Sequence, residues 1–308
     1  MQTILGAGGA IGIALAREIK NYTNDIRLVS RNPKKVNETD QTFTADLTKP
    51  DEVLKATEGS EIVYLTVGLE YKLKVWREKW PPLMKSVIDA CIKHKSKLVF
   101  FDNVYMIGKD CVNHITEDAP FSPVSKKGQI RAELDHMILN QVADGNLSAI
   151  IARSADFYGP VKDRSIIMEL VYKNLVANKK AQWFCNARVK HSFTYIADAA
   201  KGTAILGNTE GAYNQIWNLP TDKNVLTGEE WIKLFAVEMG KSNKYQVIPV
   251  WMLKILGIFI PLMREFPEMT YQYDRDYVFD SSKFEKYFKF KATNSQDGVR
   301  ETIATYKF

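Results

Sequence analysis

Apolar positions recur along the first half of the chain in two alternating periods. Residues 3–5, 26–29, 62–67, 98–101 and 149–152 are continuous or nearly continuous runs of apolar and β-branched residues. Unbroken runs of this length mark strands covered on both faces. Between them the spacing becomes helical. Ile11, Leu15, Ala16 and Ile19 share one face of a helix expected over 11–20, and Leu83, Val87, Ile88 and Cys91 share one over 82–94. The basic end of the latter, Lys93-His94-Lys95, suits a helix C-terminus, where cations oppose the dipole. A short strand is expected near Thr42-Phe43-Thr44, a helix opened by Pro50, and another helix over 129–142. Repeated βα units of this kind predict an α/β fold, a doubly wound parallel sheet of the Rossmann type.

Beyond residue 160 the pattern is less regular. Residues 166–176, 199–206 and 228–239, the last behind a Thr227 cap, read as helical, and 213–219 as extended. No repeat, low-complexity linker or Pro/Gly/Ser-rich hinge divides the chain. The expected organisation is a sheet domain over 1–160, joined by a returning segment near 190–210. A smaller, mainly substrate-binding α+β domain over 161–308 would grow from loops at one sheet edge.

Composition narrows the class. The 308 residues are 45% hydrophobic and 25% charged, which excludes disordered, collagen-like and coiled-coil chains. The 42 basic against 36 acidic residues leave a net charge of only +6, scattered in short groups, so nucleic acid is not the expected partner. Cys91, Cys111 and Cys185 include no CxxC pair, which argues for a reducing compartment, and no histidine spacing calls for a metal. Residues 248–263, the most apolar stretch, hold Lys254 and fall short of the roughly 20 apolar residues of a membrane span. A cytoplasmic protein without an integral span is expected, with a peripheral membrane contact and a homodimer left open.

Candidate chemistry begins with Gly6-Ala7-Gly8-Gly9-Ala10-Ile11-Gly12, between the first strand and first helix. Glycines at 6, 9 and 12 allow a tight turn, close approach to a pyrophosphate, and close helix–sheet packing. The helix start at Ala10, Ile11 and Gly12 then offers free N–H groups and positive partial charge to phosphates. The second strand ends in Ser30-Arg31 rather than the Asp or Glu that accepts hydrogen bonds from a ribose 2′-hydroxyl. Arg31 is suited to a 2′-phosphate, with Ser30 or Lys35 assisting, so NADP is expected over NAD.

These residues resemble the extended or atypical short-chain dehydrogenase/reductases, the NAD(P)-dependent epimerase/dehydratase family. Gly6, Gly9 and Gly12 match its GxxGxxG. Asp46-Leu47 is similar to its adenine-binding pair, and Thr66-Val67-Gly68 falls where its fourth strand meets the cofactor. The segments 153–160, 191–198 and 279–283 resemble its active-site floor, its returning segment and its C-terminal D-x-S-K. The resemblance implies a Tyr-x-x-x-Lys pair on the helix after the fifth strand, but those positions hold Lys127 and Arg131, and the usual Ser/Thr helper is Asn103. Making a lysine neutral at pH 7 costs about 4.6 kcal/mol unless burial and neighbouring cations help. Lys127 is therefore expected as an anion clamp or proton donor, Arg131 as a contact to the ribose or nicotinamide side, and Tyr105 as the alternative acid/base. Tyr158 is a further candidate. The resemblance implies an oxidoreductase or epimerase-like enzyme acting on a carbonyl or hydroxyl of a small, possibly sugar-derived molecule. The alternative is a non-catalytic NADP-binding redox sensor.

Overall fold

The structure, a computed structural model, describes residues 1–160 and 165–306; residues 161–164, where the second domain is expected to begin, and 307–308 lie outside the described residues. In chain order the elements are Gln2–Leu5 (β1), Ala10–Ile19 (α1), Ile26–Ser30 (β2), Gln41–Thr44 (β3), Pro50–Thr57 (α2), Ile62–Leu65 (β4), Leu73–His94 (α3), Lys97–Asp102 (β5), Lys126–Ala143 (α4) and Ala149–Arg153 (β6). There follow Asp156–Tyr158 (β7), a π-helical segment Met168–Tyr172, Lys173–Val176 (α5), Ala181–Phe184 (β8), Phe193–Tyr195 (β9), Ile196–Gly207 (α6) and Gln215–Asn218 (β10). Gly228–Glu238 (α7), Tyr245–Ile248 (β11), Val250–Phe259 (α8), Ser282–Phe288 (α9) and Ser295–Thr305 (α10) complete the chain.

The chain divides into two compact units. The first comprises residues 1–106, 127–154 and 199–219. Its seven strands run in the order β10-β6-β5-β4-β1-β2-β3, every adjacent pair parallel, which is the doubly wound topology expected of βα repeats. Strand side chains alternate between two buried faces. Leu5, Val29, Val63, Leu65, Leu98 and Phe100 join the helical residues Trp80, Val87, Ile130 and Leu134 in one core cluster. On the other face Tyr64 lies beneath the end of α6, where a Cβ on Gly207 would stand 2.2 Å from its hydroxyl. The apolar runs are continuous because neither face meets water.

One helix differs from expectation. A helix over 82–94 takes Pro82 as its opening residue, but α3 starts at Leu73 and carries Pro81 and Pro82 in its interior. An interior proline costs about 3 kcal/mol, the same order as the burial of one indole. Trp76 and Trp80, both buried on this extra length, offset the two prolines.

The second unit comprises the described parts of residues 107–126, 155–198 and 220–306. It holds two parallel strand pairs, β8 with β11 and β7 with β9. Its core is aromatic and centred on His191, whose ring stacks between Tyr273 at 4.4 Å and Tyr277 at 4.5 Å. Both imidazole nitrogens face acceptors: Nδ1 the Gln272 carbonyl and Nε2 the Asp156 carboxylate, each at 3.1 Å. The Tyr273 hydroxyl also donates to that carboxylate, at 2.6 Å.

Within the same unit α7 opens with a reciprocal cap. The Thr227 hydroxyl accepts from the Glu230 amide at 3.3 Å, while Glu230 accepts from the Thr227 amide at 2.7 Å. Thr227→Ala is expected to lower unfolding free energy in urea by about 1 kcal/mol, with Thr227→Ser close to wild type. An unchanged midpoint for Thr227→Ala would show that the cap contributes nothing.

Candidate functional site

The residues singled out as cofactor contacts, together with Asn103, Tyr105 and Lys127, lie in the first unit, and Tyr158 lies in the second. The glycine turn follows β1 and is fixed by backbone crowding. Gly6 has φ +98°, and a Cβ there would lie 2.7 Å from the Val67 nitrogen and 2.9 Å from the Thr66 carbonyl carbon. Thr66 and Val67, just past β4, therefore press directly on the turn. A Cβ on Gly12 would meet Ala7 Cα at 2.8 Å and the Gly6 carbonyl oxygen at 2.9 Å.

Gly9 is different. Its φ of −81° and ψ of 162° suit any residue, and a Cβ would make only one ordinary contact, 3.6 Å from the Gly6 oxygen. The fold does not require glycine at position 9. Gly9 caps α1, whose first-turn amides, Ala10, Ile11 and Gly12, have no intrahelical acceptor and no side-chain cap or acidic first-turn residue beside them. The result is an open, electropositive cradle suited to an anion.

The second strand brings Ser30 beside this cradle. Its Oγ lies 3.9 Å from the Cβ position of Gly8 and is buried with no hydrogen-bond partner among the described residues. Arg31, next in the chain, is exposed. Asp46 is held below the usual carboxylate range by hydrogen bonds from the Thr48 amide and hydroxyl, at 3.0 and 2.8 Å, with Lys49 and Arg31 adding to the effect. Leu47 is buried, while Gly68 is exposed in the loop after β4. An orphaned buried hydroxyl and free helix-start amides fit the sugar and phosphates of a dinucleotide.

The other candidates gather around Trp76. Lys127, on the first turn of α4, is fully buried with Nζ 4.7 Å from the centroid of the Tyr71 ring. Tyr71 meets Trp76 edge-on at 5.7 Å, and Tyr105 stacks on the same indole at 6.1 Å. Asn103 accepts from the Tyr105 amide at 2.9 Å, and its own amide donates to Asp102 at 2.8 Å. One turn along α4, Arg131 places Nη1 2.9 Å from Asp102 Oδ1 and lays its guanidinium 4.2 and 4.7 Å from the Trp80 and Trp76 ring centroids. Arg131 is thus enclosed by aromatic faces and a buried carboxylate.

Beneath it lies a second acid–arginine pair. Asp135 Oδ2 is 3.2 Å from Arg153 Nη2, both side chains fully buried, and the charge of Asp102 acts on Asp135. Burial, then the charge of Asp102, pushes Asp135 well above the usual carboxylate range.

The sequence pattern singles out neither Asp102 nor Asp135 for this cluster; it leaves Tyr71, after β4, facing a pocket or in a solvated loop, and gives Trp76 to a hydrophobic surface. The available signals were Asp102 at the end of a buried strand and the Arg131/Asp135 spacing of one helical turn. The candidates of the second unit pack instead. Tyr158 is buried between Tyr195 and Trp231, its hydroxyl raised well above its ordinary range by burial, and His191 forms the aromatic core described above.

Residues 3–219 match the model of the NAD dependent epimerase/dehydratase family, and the chain belongs to that family. Among curated proteins it is 20% identical over 158 residues to the uncharacterised UDP-glucose epimerase YtcB of Bacillus subtilis (strain 168). That match covers 49% of this chain and spans only half the length of the relative. Among solved structures, the dTDP-glucose 4,6-dehydratase DesIV of Streptomyces venezuelae, with NAD bound, is 14% identical at TM-score 0.82 and is covered over 96% of its chain. The UDP-glucose 4-epimerase of Thermus thermophilus, in complex with NAD, is 16% identical at TM-score 0.78, covered over 98% of its chain. Each covers 99% of the present chain, and at these identities they establish the fold.

The raised Asp135 carboxyl has a measurable consequence. A carboxyl raised in the folded state contributes stability fully present below its unfolded pKa and lost as pH rises through its folded one. Asp135→Asn, neutral at every pH, should therefore gain stability relative to wild type between pH 5 and pH 8 in denaturant titrations. A constant difference across that range would contradict a proton held on Asp135.

Proposed function

We propose that the chain binds a nicotinamide dinucleotide in the 6–12 turn and transforms a hydroxyl- or carbonyl-bearing small molecule. When bound, the dinucleotide would accept or return a hydride. Sugar nucleotides are the substrate class supported by the names of the relatives and structural neighbours. The observation that carries the reading is the room left at Gly9, the N-cap of a helix whose first amides have no intrahelical acceptor, where the fold itself tolerates a side chain. The amides of Ala10, Ile11 and Gly12 would hold the pyrophosphate, Asp46 and Leu47 the adenine end, and Thr66, Val67 and Gly68 the path along the sheet edge. Residues beyond 160 would supply substrate selectivity.

Lys127 is assigned to hold negative charge or donate a proton, and Tyr105 to exchange a proton at its phenol. Arg131 acts as a positioning residue: it grips Asp102, Asp102 holds the Asn103 amide, and Asn103 holds the Tyr105 amide. A second reading is a dinucleotide-binding sensor without turnover. It is favoured by the burial of both Lys127 and Arg131, the residues standing where the family has its Tyr and Lys, against aromatic rings.

On the choice of dinucleotide the indications diverge. Arg31 and the orphaned Ser30 hydroxyl support a 2′-phosphate, whereas the family is described as NAD dependent and the neighbours cited carry NAD, so the comparisons lend no support to an NADP preference. If Arg31 grips the phosphate, Arg31→Ala will weaken NADP about tenfold and leave NAD unchanged. Equal affinities for the two nucleotides in the wild type would remove that role.

Calorimetric titration with oxidised and reduced nucleotides tests the cradle. Gly9→Val should keep the wild-type melting temperature and lose at least tenfold in affinity; wild-type affinity in that variant would overturn the reading. Turnover of UDP- and dTDP-hexoses, followed through nicotinamide absorbance, separates enzyme from sensor. Activity that survives both Lys127→Ala and Tyr105→Phe would remove those two residues from the chemistry.

A further inference from the structure

The second unit carries an apolar surface that the dinucleotide reading does not use. Helix α8 buries Leu253 and Gly257 but turns Trp251, Ile255, Ile258 and Phe259 outward, at 61, 50, 67 and 79% exposure. These positions follow i, i+4, i+7, i+8, so they form one continuous stripe on the face where an ordinary surface helix is polar. Ile260 and Leu262, in the turn that follows, extend it. The turn is locked to the helix: Arg264 Nε donates to the Gly257 carbonyl at 2.9 Å, and a Cβ on Gly257 would come within 3.0 Å of Arg264 Cα. Six large side chains expose on the order of several hundred Å², at or above the largest patch of a typical monomer.

Charge indicates what covers it. From residue 244 to residue 264 the chain has Lys244, Lys254 and Arg264 and no acidic residue. Lys254 is exposed at the edge of the stripe and is paired with no carboxylate among the described residues. Among the described residues no helix is long and apolar enough to cross a membrane. One helix and its turn also fall short of the roughly 800 Å² per partner that a standard protein interface buries. An in-plane helix at a lipid surface needs no more than an apolar face, a Trp at headgroup depth and flanking cations.

We propose that α8 and the turn after it are a membrane-surface anchor that seats Trp251, Ile255, Ile258 and Phe259 in an anionic lipid leaflet, with Lys254 at the headgroups. This does not rest on the dinucleotide reading, and nucleotide affinity is unaffected by the outcome.

The full chain is tested by flotation with phosphatidylcholine vesicles, with and without phosphatidylserine. The other five tryptophans are buried, so Trp251 is the solvent-facing indole. Anionic vesicles should bind the protein at least tenfold better than neutral ones, shift its emission to the blue, and allow quenching by brominated lipid. Trp251→Phe should remove the shift. Phe259→Glu should lower partitioning at least tenfold and Lys254→Ala about fivefold, both with wild-type melting temperature and nucleotide affinity. Absence of flotation on anionic vesicles overturns the proposal. So does undiminished binding by Phe259→Glu, or a concentration-dependent dimer that Phe259→Glu dissolves, which would give the stripe to a second copy.

Discussion

The first unit depends on main chain touching main chain where β1 turns into α1. Gly6 has no room for a Cβ against Val67, and Gly12 has none against Ala7. These contacts set the distance between the turn, the end of β4 and the helix axis, and so fix where the amides of Ala10, Ile11 and Gly12 point. Gly9 lies in the same turn under no such pressure. The contrast separates two settings of glycine: packing demands it at 6 and 12, and at 9 packing leaves room for a side chain.

Below the cradle, a second constraint governs the chemistry. Asp102, Arg131, Asp135 and Arg153 are four ionisable groups removed from water, an arrangement tolerated only when charges are paired and hydrogen bonds made. Two arginines face two carboxyls, and Trp76 and Trp80 supply π faces to the first guanidinium. This cluster closes β5 and so orders the Asn103–Tyr105 turn. On α4, Lys127 lies over the Tyr71 ring and Arg131 is directed into the core of its own unit.

The sheet was legible in the sequence because burial on both faces leaves unbroken apolar runs, and the cradle because a strand, three glycines and an amphipathic helix follow one another locally. Features that depend on distant partners were not. The extra length of α3 was hidden by Pro81-Pro82, since the tryptophans that offset them bury against strands elsewhere in the chain. Local spacing says nothing of Asp102, which lies opposite Arg131. His191 read as part of a returning segment, with nothing local to show that Tyr273 and Tyr277, some eighty residues on, enclose its ring.

The central claim is that unpaired amides at the start of α1 hold the phosphates of a nicotinamide dinucleotide. Hydrogen–deuterium exchange of residues 6–13, measured with and without saturating nucleotide, addresses those N–H groups themselves. The account predicts marked slowing at Ala10, Ile11 and Gly12 when NAD or NADP is present and little change in the aromatic core around His191. Unaltered exchange at these three amides, in a protein that demonstrably binds the nucleotide, would contradict it.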